Sequence, residues 1–180
     1  MEKRWSVLDA LRHSRHDWLN KLQLIKGNLA LNKLERVHEI IAEIVREMQH
    51  ESKLTNLNAN RFAEWLLTYN WEARHVVVSY EVLGDNGDLS AYDEALVTWC
   101  NAFLQQLEQQ ADASGENHLD VSIELEDGSV RLFFDYRGTI KDGDALATWL
   151  ESHPPKAPVC CGEAAIHKEE MTVFLYITNG

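Results

Sequence analysis

Eight histidines and three cysteines are the side chains of this 180-residue sequence best suited to nucleophilic or metal chemistry. His13 and His16 stand three residues apart and share a face if their segment is helical. As metal ligands they need further donors. Asp9 and Asn20 fall on the same face, but a single helix cannot wrap a tetrahedral ion. His38, His50, His75, His118, His153 and His167 show no shared spacing and read as surface or strand positions. Cys160 and Cys161 are neighbours, which pair only with strain, and no CxxC spacing suggests zinc. The most informative group is His16, followed directly by Asp17. An exposed imidazole beside a carboxylate is suited to act as nucleophile or base. Ser14, the nearest hydroxyl, faces elsewhere on a helix. A convex helix flank implies no pocket, which disfavours hydrolysis of a small substrate. It suits a substrate that brings its own cleft, namely another protein.

The element that positions His16 is an amphipathic helix. The first 58 residues contain no proline and one glycine, Gly27. Trp5, Leu8, Arg15, Trp18, Leu22, Ile25 and Leu29 recur at three- and four-residue spacing, with Leu11 and Leu19 widening the stripe. The pattern predicts a helix of roughly 27 residues, about 40 Å long. His16 projects roughly 125° from the centre of the stripe, toward solvent. Arg12 and Asn20 lie one turn either side of it, and Gln23 and Gly27 follow on the same side. Glycine within a helix costs about 1 kcal/mol relative to alanine. Gly27 therefore marks either close approach by another molecule or a loosening of the helix before its end. Asn32, three before Glu35, has capping-box spacing and is expected to start a second helix. That helix carries Leu34, Val37, Ile41, Ile44 and Met48, widened by Ile40 and Val45. So short a link makes the helices antiparallel. Their stripes are too wide for one seam. A second hairpin from another copy, giving a four-helix bundle, is the favoured cover, and residues 59–180 of the same chain are the alternative.

Beyond Asn58 the pattern changes. A helix over 61–71, a strand over 75–82, a loop at Gly84-Asp85-Asn86-Gly87 and a long helix over 90–110 capped by Ser90 are expected in turn. Alternating segments at 119–125 and 130–136 flank Asp127-Gly128 as a hairpin, and a short helix covers 142–150. A proline loop over 153–158 precedes a last hairpin, 161–167 with 171–177, turned at 168–170. The expected fold is thus α plus α/β, with a helical hairpin over 1–58 and an α+β domain over 59–180.

Charge divides the chain at the same place. Residues 1–58 hold 10 Lys/Arg against 8 Asp/Glu, and residues 59–180 hold 7 against 21. The net charge of −12 argues against nucleic acid as partner. An apolar share of 45% fits a globular chain, and no apolar run approaches the eighteen residues of a membrane span. The start of the chain lacks a signal-type apolar segment, and three unpaired cysteines fit a reducing compartment, so a cytoplasmic location is expected.

The run His13-Ser14-Arg15-His16-Asp17-Trp18-Leu19-Asn20-Lys21-Leu22-Gln23-Leu24-Ile25-Lys26-Gly27-Asn28-Leu29 closely resembles the sporulation initiation phosphotransferase B family, the histidine phosphotransferases of sporulation phosphorelays. Later runs at 50–54, 80–84, 89–93 and 116–119 resemble it too, so the likeness spans nearly the whole chain. The resemblance implies a homodimer with a central four-helix bundle and an exposed phosphoaccepting histidine, here His16. It implies a C-terminal domain shaped like a sensor-kinase ATPase domain that does not work as one. It also implies transfer from the aspartate of a single-domain response regulator, through His16, to the aspartate of a second regulator that is a transcription factor. Asp17 is then expected to hold or polarise the imidazole, with an ion pair to Lys21 as its alternative. Arg12, His13, Asn20, Gln23 and Gly27 are the expected docking residues. Mg²⁺ is expected with the regulator's acidic pocket, and this chain is expected to hold no cofactor.

Two other readings remain. An ATP-dependent sensor kinase shares the fold, but Asp135-Tyr136-Arg137-Gly138-Thr139-Ile140 places Arg137 and Thr139 where such kinases need glycine for close backbone approach. A purely structural dimerisation module leaves the His16-Asp17 flank without a use.

Overall fold

A computed structural model describes residues 5–85, 87–126 and 128–178. The chain divides into two compact units after Gln49. The first is built from α1 (Val7–Ala30) and most of α2 (Leu34–Thr55).

Helix α1 starts at Ser6, whose hydroxyl accepts the Asp9 N–H at 3.2 Å while the Asp9 carboxylate accepts the Ser6 N–H at 3.3 Å. This reciprocal cap satisfies two backbone groups at the helix start. Asn32 does not cap α2 as expected. Its φ of 54° is left-handed, whereas an N-cap is extended. Its N–H bonds the Leu29 carbonyl at 3.0 Å, and the next N–H, of Lys33, bonds the Asn28 carbonyl at 2.9 Å. These two bonds make a Schellman stop for α1, with asparagine in the left-handed position usually held by glycine. The tight reversal requires that conformation, so the residue closes one helix and does not open the other.

Lys21 Nζ on α1 meets Glu47 Oε2 on α2 at 2.5 Å across a link centred near residue 33, so the helices are antiparallel. Val37, Ile40 and Ile44 form the buried row of α2. No described residue of α1 is buried. Leu8, Leu11, Trp18, Leu19, Leu22 and Leu29 are exposed along α1, and Ile41, Val45 and Met48 along α2.

The second unit is a five-stranded sheet in the order β1-β2-β3-β5-β4, with helices on one face. Helix α3 (Asn60–Thr68) and a 3₁₀ turn lead into β1 (Val76–Leu83), which runs parallel to β2 (Asn117–Glu126). A parallel pair needs a long crossover, supplied by α4 (Asp93–Gln110). Strands β3 (Ser129–Arg137), β4 (Val159–Ile166) and β5 (Glu170–Thr178) add antiparallel, with α5 (Gly143–Ser152) between β3 and β4. Alternate residues such as Val78, Leu119, Phe134 and Val173 pack beneath Leu96, Phe103 and Leu107 of α4. Leu54 and Leu57, at and just beyond the end of α2, enter the same core.

Ser90 does not cap α4. It starts a 3₁₀ turn, its N–H taken by Asp88 Oδ1 at 2.9 Å, and α4 begins at Asp93. Asp93 instead accepts the N–H groups of Arg61 (3.1 Å) and Phe62 (2.7 Å), capping α3 from a distance in sequence. The expected elements at 119–125, 130–136, 142–150 and the final hairpin all form. Asn86 of the expected loop and Asp127 of the expected turn lie outside the described residues.

The outer edge of β1 is occupied by side chains. Asn70 bonds both the N–H (3.0 Å) and the carbonyl (2.6 Å) of Val78, Glu108 takes the N–H groups of His75 and Val76, and His50 Nδ1 takes that of Val82.

Candidate functional site

The helical register of α1 lines up Asp9, Arg12, His16, Asn20, Gln23 and Gly27 along one solvent-facing row. The His16 side chain is 73% exposed. Its Nδ1 lies 3.4 Å from Asp17 Oδ1 and 3.3 Å from Asn20 Nδ2. A proton on Nδ1, donated to the Asp17 carboxylate, leaves Nε2 with its lone pair. Asn20 then serves the same proton if its amide presents oxygen, an assignment that hydrogen-bond logic sets. Both neighbours engage Nδ1, and no described residue bonds Nε2. In the tautomer that Asp17 favours, the outer nitrogen is therefore the one that keeps its lone pair and faces away from both neighbours.

The alternative partner for Asp17 does not form. Lys21 turns to Glu47 and lies over the Trp18 ring, 5.8 Å from its centroid. Arg12 is 67% exposed, and its NH1 meets Asp9 Oδ1 at 3.2 Å. The hydrogen bonds from Ser6, and then the Arg12 charge, hold the Asp9 carboxyl below the usual carboxylate range. Asp9 tethers Arg12 one turn from His16. It was legible only as a possible donor on the same face, although its i,i+3 spacing to Arg12 and its Ser-x-x-Asp cap spacing were both in the sequence.

His13 is not part of this row. It is half-buried, with its ring edge against Trp5 at 5.2 Å between centroids and 84° between planes. Gln23 and Gly27 are both exposed, and a Cβ placed on Gly27 meets nothing within 4 Å. The structure thus brings Arg12, His16, Asp17 and Asn20 together, leaves Gln23 and Gly27 as an open continuation, and turns His13 aside.

Two features of the second unit bear on the kinase alternative. The segment after β3, where a glycine box is needed, has its backbone committed: Gly138 N–H bonds Glu169 O at 3.0 Å, Ile140 N–H bonds Lys168 O at 2.8 Å, and Thr139 O accepts from Asp112. A Cβ at Gly138 would come within 2.3 Å of Asn117 Oδ1, so the glycine serves internal packing. Asp135 pairs with Arg137 at 2.9 Å. No cradle of free N–H groups is left there for a phosphate. A cleft of about 920 Å³ lies between α5 and β4, with Lys141, Lys168, Asp142, Asp144 and Glu151 of mixed charge among its lining. Among the described residues no three His, Cys, Asp or Glu side chains are grouped to hold a metal, and no helix is long and apolar enough to cross a membrane.

Both parts of the chain match family models. Residues 1–57 match the family model for the SpoOB-type sensor kinase alpha-helical domain, and residues 58–178 match that for sporulation initiation phosphotransferase B, C-terminal. Sporulation initiation phosphotransferase B of Bacillus subtilis (strain 168) is 44% identical over 142 residues, 78% of this chain and 74% of that one. Among solved structures, the Acinetobacter baumannii histidine kinase AdeS superposes with a TM-score of 0.45 at 11% identity, covering 91% of this chain and 97% of the kinase. A bacterial phosphotransferase gives 0.43 at 14%, covering 96% and 98%.

Proposed function

The chain belongs to the sporulation initiation phosphotransferase B family, and from that premise we propose that His16 is its phosphoacceptor in a phosphorelay between two response regulators. It is a phosphotransferase. The donor is the phosphoaspartate of a single-domain regulator and the final acceptor is the aspartate of a transcription-factor regulator. Each regulator brings its own Mg²⁺ in its acidic pocket.

The observation that carries the assignment is the His16 imidazole itself, 73% exposed, with both protein contacts on Nδ1 and Nε2 open to a partner. Phosphoramidate and acyl phosphate are both high-energy, so transfer needs alignment and charge neutralisation more than covalent assistance. Asp17 holds the tautomer and offsets the positive charge that grows on the imidazole. Asn20, Gln23 and Gly27 offer an uncharged strip against which a folded partner can lie.

The hairpin of residues 1–58 serves as the dimerisation and phosphotransfer part. Its exposed leucines, with Trp18, Ile41, Val45 and Met48, form an apolar area unusual for a monomer surface, and a second copy of the hairpin covers it in a four-helix bundle. Residues 59–180 form the kinase-like part without nucleotide machinery.

The test is to mix the protein with a phosphorylated regulator and follow label. Acid-labile, base-stable label that is lost in His16→Ala and kept in His13→Ala is the expected result. Loss in His13→Ala with retention in His16→Ala would move the site by one turn and overturn the assignment.

A further inference from the structure

The row that carries His16 contains one cation, Arg12, between Asp9 and Gly27. Its guanidinium is drawn one turn back from His16 by Asp9 at 3.2 Å, in a pair that is exposed on both sides, 67% and 39%. Exposed pairs of this kind are weak and exchange readily. Residues four apart on a helix are neighbours, so the long side chain of Arg12, which leans toward Asp9, is also within reach of a group added to His16. Phosphorylation of His16 places about two negative charges and three acceptor oxygens on that side of it. A dianion outcompetes a single carboxylate for a guanidinium, which binds such oxygens in bidentate fashion.

We propose that Arg12 is the counter-ion of the phosphoryl group on His16, and that Asp9 is a positioning residue that keeps the guanidinium poised in the unphosphorylated chain. This rests on His16 as phosphoacceptor. The His16 Nε2 lone pair attacks phosphorus and the N–P bond forms. The P–O bond to the partner's aspartate breaks, and that carboxylate leaves with the bonding pair. The imidazolium so formed keeps its Nδ1 proton against Asp17, and reversal of the same steps hands the phosphoryl group to the second regulator. Arg12 leaves Asp9 for the phosphoryl oxygens as the N–P bond forms, and returns when the group departs. Its role is separate from that of Asp17, which faces the ring nitrogen and not the phosphoryl group.

The test loads histidine with potassium phosphoramidate, so that it does not depend on any regulator. The His16 phosphorus resonance is identified by its absence in His16→Ala. Its titration midpoint should rise by about half to one pH unit in Arg12→Gln, because removal of a nearby cation raises the pKa of the phosphoryl oxygens. Arg12→Lys should restore part of the shift, and salt should shrink it. Asp9→Asn, which keeps an acceptor for the Ser6 N–H, should lower the midpoint slightly in the native background and leave it unmoved in Arg12→Gln. A loss of helix capping alone would not produce that pattern. With a phosphorylated regulator as donor, Arg12→Gln should slow labelling about three- to tenfold. An unchanged midpoint in Arg12→Gln overturns the proposal, even where His16 labels normally. Failure of the regulator to label His16, with the midpoint shift intact, overturns the relay reading and not the counter-ion.

Discussion

Replacing Gly27 by leucine separates a docking role from a folding role. The glycine is helical and exposed, its carbonyl accepts the Leu31 N–H at 3.2 Å, and an added Cβ meets nothing within 4 Å. The side chain therefore introduces no clash in the chain itself. Gly to Leu inside a helix gains up to about 1 kcal/mol from propensity. That raises the melting temperature by roughly 2–4 °C for a protein of this size, if unfolding is a single transition. The same side chain stands on the row of His16, nearly two α-helical turns beyond Asn20, where the uncharged strip offers a flat approach. A bulky group there forces the partner away from its in-line position, and a displacement of about 1 Å can cost on the order of a hundredfold in transfer. Thermal melting by circular dichroism and single-turnover transfer are to be measured on the same preparation, with Gly27→Ala as the small-side-chain control. Higher stability with slower transfer is expected. Equal transfer in Gly27→Leu would show that no partner reaches this part of the flank. Lower stability would refute the open-space argument.

Trp18 is 41% exposed in the single chain, and Trp18→Glu should weaken dimerisation at least tenfold. Sedimentation should give twice 20.7 kDa for the native protein at micromolar concentration and shift toward the monomer in the variant. Asn32→Val, a β-branched residue forced to a φ of 54°, should destabilise the hairpin by about 1–2 kcal/mol in urea unfolding, whereas Asn32→Gly should be nearly neutral. The Asp9 carboxyl has a depressed pKa in the folded chain, so its contribution is complete above the ordinary value of about 3.9 and is lost as pH falls through the lower folded value. The stability difference between native protein and Asp9→Asn should accordingly close below about pH 4. Calorimetry with ATP and Mg²⁺ should show no binding, and a dissociation constant tighter than about 1 mM would restore the kinase reading.

Much of this was legible in the residues because the relevant signals are local. The three- and four-residue spacing along α1 fixes which side His16 faces, and alternation fixes the strands that carry Leu119 and Phe134. Capping was less legible, since the same residue types serve several ends. Asn32 has the spacing of an N-cap, yet the reversal between two helices demands a left-handed residue, and the backbone geometry won. Ser90 and Asp93 look like a local pair, but Asp93 is drawn to the open N–H groups of α3, which sequence spacing gives no means of seeing. His13 shares a helical face with His16 by angle, but the Trp5 ring just before the helix captures it. The tether between Asp9 and Arg12 has a plain i,i+3 spacing, but Asp9 shares a face with His13 and His16, and that company points first to a metal donor.

The side chains that occupy the free edge of β1 set a limit on how copies of this protein can join. A sheet propagates into a fibre only if each unit offers two open edges, one to receive and one to give. Asn70 stands in for a neighbouring strand at Val78, and Glu108 and His50 take the amides on either side, so a newcomer at that edge must first displace these side chains. Strand pairing alone, through β4 at the opposite edge, then joins two sheets, and growth beyond that needs a second kind of contact. Continuous strand addition along the sheet is therefore opposed at the β1 edge by three polar side chains.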